Sequence, residues 1–114
     1  MGIPTLLRAV VSVDSLERSV PFYSDVVGLE AAWRTDELAS FATAGGSELL
    51  LHQRPSTPSD TAVALTFALA DLDAAVAKIP RDDVVRAPAV EEWGERQAVV
   101  RDPDGHLICL VAAD

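Results

Sequence analysis

The feature that most limits what this chain can fold into is a repeat. "LLRAVVSVDSLERSVPFYSDVVGLE" in the first half has a counterpart in "AVALTFALADLDAAVAKI" in the second. Each begins with a valine- and leucine-rich run of strand length. Each then meets an acidic or hydroxyl residue suited to capping, and continues with apolar residues at helical spacing. Aligning Leu16 with Leu72 sets an offset of 56 positions. A period that long, present twice, does not describe a solenoid; it describes two copies of one small module.

Within the first copy a strand is expected over about 6–13. Asp14 or Ser15 caps the following helix, and Asp14 with Glu17 has the spacing of a capping box. Leu16, Val20, Tyr23 and Val27 form its apolar face, Pro21 predicts a local bend, and Gly28 fits the position just past its end. Strands at about 30–35, 38–44 and 47–53 follow, with "AGG" at 44–46 as a hairpin turn. In the second copy Asp71 caps a helix whose apolar face is Leu72, Ala75, Val76 and Ile79. Strands at about 84–92, 96–101 and 106–112 complete it, and "DPDG" at 102–105 has the composition of a type I turn.

Both copies therefore read βαβββ. The organisation expected is one domain over 1–114, with a first module at about 5–54, a Pro/Ser/Thr-rich linker at about 55–61 and a second module at about 62–114. The fold class is α+β: two tandem βαβββ modules forming a curled mixed sheet around a cavity, with the helices on the outside. A hollow where two modules meet is a common place for a small-molecule site.

With 114 residues, 49% of them hydrophobic, the chain can bury one core without staples. Its net charge of −9 argues against nucleic acid, whose binders need basic patches, and suits a cationic ligand. No apolar run approaches the ~20 residues of a membrane helix. Cys109 is the only cysteine, so no disulfide forms within the chain, and the N-terminal residues lack a basic leader; a cytoplasmic location is expected. Signatures of nucleophilic catalysis and phosphate loops are missing. Asp82–Asp83 and Glu91–Glu92 are chain neighbours, which point apart and read as solvated charge. His106, directly after the DPDG turn, is expected to be exposed, and Cys109, in an apolar run, to be a small buried hydrophobe.

"DSLERSVPFYSDVVGLE", "LADLDAAVAKI" and "WGERQAVVRDPDGHLICLV" together resemble the vicinal oxygen chelate superfamily, over nearly the whole chain. That superfamily includes glyoxalase I, extradiol dioxygenases and bleomycin-binding proteins. For its enzymes the resemblance implies one divalent metal inside the curled sheet, held by residues of the first and last strands of each module and chelating two neighbouring substrate oxygens. Carried over by position, the ligand places fall on Arg8, Ala64, Cys109 and, within one or two residues, Leu50. Arginine, alanine and leucine do not ligate such an ion, and a lone cysteine does not hold one, so no metal and no cofactor are expected. A displaced set of Glu48, His52 and Cys109 is the alternative register.

The resemblance then points to the metal-free, bleomycin-resistance-like members. It implies metal-independent binding of a small planar or cationic molecule, an antibiotic among the candidates, by a homodimer without catalytic residues. Trp33 and Trp93 would stack on the ligand, Arg8 and His52 would hydrogen-bond its oxygens, and Leu50, Ala64 and Cys109 would form an apolar floor. The alternative is a glyoxalase-like lyase, isomerase or dioxygenase with an atypical site, using Glu48 and His52 as acid and base.

Overall fold

The computed structural model describes residues 2–113. In the first half β1 (Arg8–Val13) leads into α1 (Leu16–Pro21), followed by β2 (Glu30–Arg34), β3 (Leu38–Ala42) and β4 (Glu48–Gln53). The second half repeats the order with β5 (Leu65–Leu69), α2 (Leu72–Ala77), β6 (Val84–Val90), β7 (Arg96–Arg101) and β8 (Leu107–Ala112). Each half makes a four-stranded sheet, ordered β1-β4-β3-β2 and β5-β8-β7-β6. In both, the first strand runs parallel to the last and the other pairs are antiparallel. The parallel pair needs a crossover, and the helix is part of it. The α+β class and the two tandem βαβββ modules read from the repeat are the observed ones.

The first helix begins at Ser15, whose Oγ accepts from the Arg18 amide at 3.3 Å. Asp14 is unavailable for capping. Its own amide donates to Asp104 at 2.7 Å, and its carboxylate accepts from the Ser56 amide at 3.0 Å. At Pro21 the α-helical ladder stops and Phe22–Val26 forms a single π-turn, closed by the Val27 amide on the Phe22 carbonyl at 3.0 Å. Proline has no N–H and its ring crowds the carbonyl four residues back, so the ladder resumes at wider spacing. The bend expected at Pro21 is this widened turn, which buries both Phe22 and Tyr23. Gly28 ends it at φ +89°.

α1 packs on β3 and β4, and α2 on β6, β7 and β8. The helix-facing sides of the two sheets merge in one core, with Val13, Phe41, Leu49 and Leu51 from the first and Ala98, Val100, Ile108 and Leu110 from the second. Tyr23 joins them: its ring centroid lies 6.4 Å from Phe41 and 6.4 Å from Phe67. Its hydroxyl donates to Asp102 Oδ2 at 2.6 Å, while Asp102 Oδ1 accepts the amides of Asp104 and His106. Burial raises the pKa of both the Tyr23 hydroxyl and the Asp102 carboxyl above their ordinary values.

His106 is a correction to the sequence reading: it is buried, at 6% exposure. Its Nδ1 accepts from the Ser59 amide at 3.0 Å, and Nε2 lies 2.7 Å from the Ser12 carbonyl. An amide can only donate and a carbonyl only accept, so these partners assign the proton to Nε2. The segment after β4 folds over the ring as a strap, with Ser59 O accepting from Arg101 at 2.9 Å. Pro58 sits 3.3 Å from where a Cβ would stand at Gly105, whose φ is +85°. A residue just after a tight turn reads as surface until a distant segment covers it. Cys109 also differs from expectation. It is half-buried, because it points to the face of β8 opposite the core.

Candidate functional site

Alternation along β1 sends Ala9, Val11 and Val13 toward the core and Arg8, Val10 and Ser12 to the opposite face. Pairing carries that face across the sheet in rows. Arg8 stands opposite Glu48, then Ala42, then Glu30; Val10 opposite Leu50, then Ser40, then Trp33; Ser12 opposite His52, then Leu38. Trp33 reaches this face through a bulge. Ala31 pairs with core-facing Phe41, and without the register shift that follows it Trp33 would point the same way. The face is open: Val10 is 50% exposed and Trp33 48%.

Its polar centre is a cluster of three. Arg8 Nε donates to Glu48 Oε1 at 2.5 Å, and the Ser40 hydroxyl donates to Glu48 Oε2. The Ser40 hydroxyl and the Arg8 guanidinium hold the Glu48 carboxyl below the usual carboxylate range. A hollow of about 230 Å³ runs between Trp33 and Glu48, with Ser40, Ala42 and Thr43 in its wall. A larger hollow of about 820 Å³ lies between the end of the first sheet where β1 and β4 begin and the free edge of β5. Glu48 lines both hollows, Arg8 lines neither, and only the smaller one brings the indole of Trp33 together with Ser40 and Glu48, so the smaller one is favoured.

Of the residues singled out in the sequence, Arg8, Trp33, Leu50 and His52 share this one face. Ala64 lines the larger hollow beside β5. Cys109 stands opposite Thr66 and Val99 on the second sheet. Trp93 lies in the β6–β7 turn, 63% exposed, its Nε1 donating to Glu95 at 2.6 Å. Within one chain Leu50, Ala64 and Cys109 are thus in three different places. The residue opposite Arg8 is Glu48, two positions before Leu50 and within the one or two residues allowed for that place. Alternation back from Leu50 points to it, whereas nothing local in the sequence marks Ser40.

The sequence profile of the Glyoxalase/Bleomycin resistance protein/Dioxygenase superfamily matches residues 5–110. The chain belongs to this superfamily. No curated protein sequence matches it. Among solved structures it is similar to a glyoxalase-related enzyme from Fulvimarina pelagi, with a TM-score of 0.78 and 17% identity over 97% of this chain and 89% of that one. It is similar to lactoylglutathione lyase from Agrobacterium tumefaciens, with a TM-score of 0.72 and 19% identity over 98% and 96%. It is also similar to TioX from Micromonospora sp. ML1, with a TM-score of 0.71 and 21% identity over 96% and 98%. At these identities the likeness is one of fold.

The divalent ion implied for enzymes of the superfamily does not fit the side chains present. Arg8 is itself a cation, and both oxygens of Glu48 already accept hydrogen bonds. Among the described residues no three of His, Cys, Asp and Glu come together as a metal would need. His52 lies on the same face as Glu48, but its row partners are Ser12 and Leu38, which add no ligand. No helix is long and apolar enough to cross a membrane.

Proposed function

We propose that this protein binds a small planar molecule without a metal, on the outer face of its first sheet, and that a second copy of the chain closes the site. The observation that carries the reading is the hollow between Trp33 and the Glu48–Ser40 pair, with Arg8 bonded to Glu48 just outside its lining. The indole at one end offers a stacking surface, and beyond Glu48 at the other a guanidinium held in place offers hydrogen-bond donors. At about 230 Å³ the hollow is smaller than the roughly 300–1,000 Å³ typical of drug-sized ligands. It therefore takes one or two fused rings on its own, and a larger planar antibiotic once a partner chain extends its wall. Val10, Trp33 and Leu50 make the apolar surface that a partner would cover, and two-fold pairs are the commonest assembly. Glu48 does not suit general-base work, since Ser40 and Arg8 occupy both its oxygens and favour its charged, weakly basic form.

The test is a fluorescence titration in excess chelator, in a Trp93→Phe chain so that Trp33 alone reports. Bleomycin and a panel of fused-ring aromatics are the probes. Saturable quenching that disappears in Trp33→Ala, with the ligand recovered unchanged, is the expected result. Quenching that survives Trp33→Ala would remove this face as the site. Turnover of the methylglyoxal–glutathione adduct would make the protein a lyase instead. Sedimentation should show a dimer; a monomer at micromolar concentration would rule out closure by a second copy.

A further inference from the structure

The cluster that excludes a metal leaves one chemical capacity unspent. A guanidinium carries five N–H donors in a rigid plane, and Glu48 takes only the one on Nε. Among the described residues the two terminal nitrogens of Arg8 have no hydrogen-bond partner, and the side chain is 43% exposed on the open face. We infer that Arg8 is the receptor for a carboxylate of the ligand, so that the molecule bound here is a planar aromatic acid. The inference rests on the reading above that a planar molecule lies against Trp33.

Three features support it. The first is preorganisation. Glu48 is held at Oε2 by Ser40 and holds Arg8 through Oε1, so the guanidinium plane is oriented before a ligand arrives. The paired terminal nitrogens then match the two oxygens of a carboxylate in a way a lysine would not.

The second is span. Trp33 on β2 and Arg8 on β1 are separated by three strand spacings, roughly 14 Å, and by one two-residue step along the strand, roughly 7 Å. Arg8 is bonded to Glu48 on β4, and Glu48 in turn lines the hollow that extends to Trp33, so a ligand that touches both Arg8 and Trp33 passes over Glu48. A fused ring system with an attached carboxylate fits the interval between guanidinium and indole.

The third is direction. Glu48 is neutralised by Arg8, whereas Glu30, on the same strand as Trp33 and at the far end of the Arg8 row, has no salt-bridge partner among the described residues. An acid bound with its carboxylate at the Trp33 end would meet that charge. Bound the other way round, it meets Arg8. The negative net charge of −9 acts over the whole surface and is screened within about 10 Å at ordinary ionic strength, so the local cation decides the ligand's sign.

Three probes of one shape separate the possibilities: 2-naphthoate, 2-naphthalenemethanol and 2-naphthylmethylammonium, titrated against the Trp93→Phe chain in chelator with Trp33 as reporter. The acid should bind at least tenfold tighter than the alcohol, and the ammonium more weakly than either. Arg8→Gln should bring the acid to the level of the alcohol. Arg8→Lys, which keeps the charge but loses the fork, should retain only a few-fold preference. If the alcohol binds through Trp33 and the acid binds no better, or if the acid preference survives Arg8→Gln, the assignment of Arg8 is overturned while the planar-ligand reading stands. If none of the three probes moves the Trp33 signal, both fall together.

Discussion

Asp102 and Glu48 are two carboxylates in one small chain, and their surroundings push them in opposite directions. Asp102 lies at the seam between the modules, almost without solvent, and burial raises its pKa even though Tyr23, His106 and Asp104 all donate to it. Glu48 lies on the open face of the first sheet, and Ser40 and Arg8 lower its pKa. The seam spends its polar groups joining one half of the chain to the other. The open face spends few of its polar groups on the fold, and Arg8 keeps donors free. A region whose hydrogen bonds are all internal is suited to stability, and one with free donors beside an exposed indole is suited to recognition.

The contrast breaks most visibly at Tyr23. Tyr23→Ala empties a site shared by both modules, and urea denaturation should show a loss of about 3–5 kcal/mol. Tyr23→Phe removes only the hydroxyl and leaves Asp102 Oδ2 without its donor; a loss of about 1–3 kcal/mol is expected. A Phe variant as stable as the parent would mean that packing alone joins the modules. His106→Ala should also lower stability by about 1–3 kcal/mol and should speed hydrogen exchange at the Ser59 amide, which donates to the ring. Unchanged exchange at that amide would show that the strap is held by something other than the histidine.

Smaller effects come with pH. The folded pKa of Asp102 is raised above its unfolded value of about 3.9, so the folded state holds the proton more tightly. Its contribution is greatest below that unfolded value and is lost as pH rises through the folded one. For Glu48 the folded pKa is lowered from an unfolded value of about 4.3, so its contribution is full above that value and is lost as pH falls through the folded pKa. Stability measured from about pH 3 to about pH 7 for the parent, Asp102→Asn and Glu48→Gln should give two difference curves of opposite slope, the Glu48 curve the shallower. Curves of the same sign would contradict the contrast between the two sites. Smallest of all, Arg8→Gln should change stability by less than about 1 kcal/mol, as expected for an ion pair at the surface, while altering what the face binds.

The parts of this molecule that could be read ahead are those governed by near neighbours. Capping at Ser15 and Asp71, the left-handed Gly28 and the DPDG turn each depend on a few consecutive residues, and each stands where the pattern places it. The fold class followed from the repeat, because two copies of strand, helix and three strands leave few ways to bury their apolar faces. The site was legible only in part. Arg8, Trp33, Leu50 and His52 do share a face, but Trp33 is there because of a bulge that has no signature in the sequence around it. Glu48 was named from the sequence, but its contact with Arg8 needed the pairing of β1 with β4, and that with Ser40 the further pairing with β3. His106 was misread because the strap that buries it comes from a segment about 50 positions away.

Composition and local pattern were thus enough for an acidic, single-core chain of two βαβββ modules with particular residues at its caps and turns. They could not say that Arg8 would meet Glu48, 40 positions on, or that Tyr23 would meet Asp102, 79 positions on. Such meetings depend on strand register and on how the two helix-covered faces share one core, and a slip of a single residue would send every side chain of a strand to the other face. Register is chosen by the packing of the whole core at once, so the free donors of Arg8 and the indole of Trp33 came to share one face only when the strands of the first sheet had taken their places.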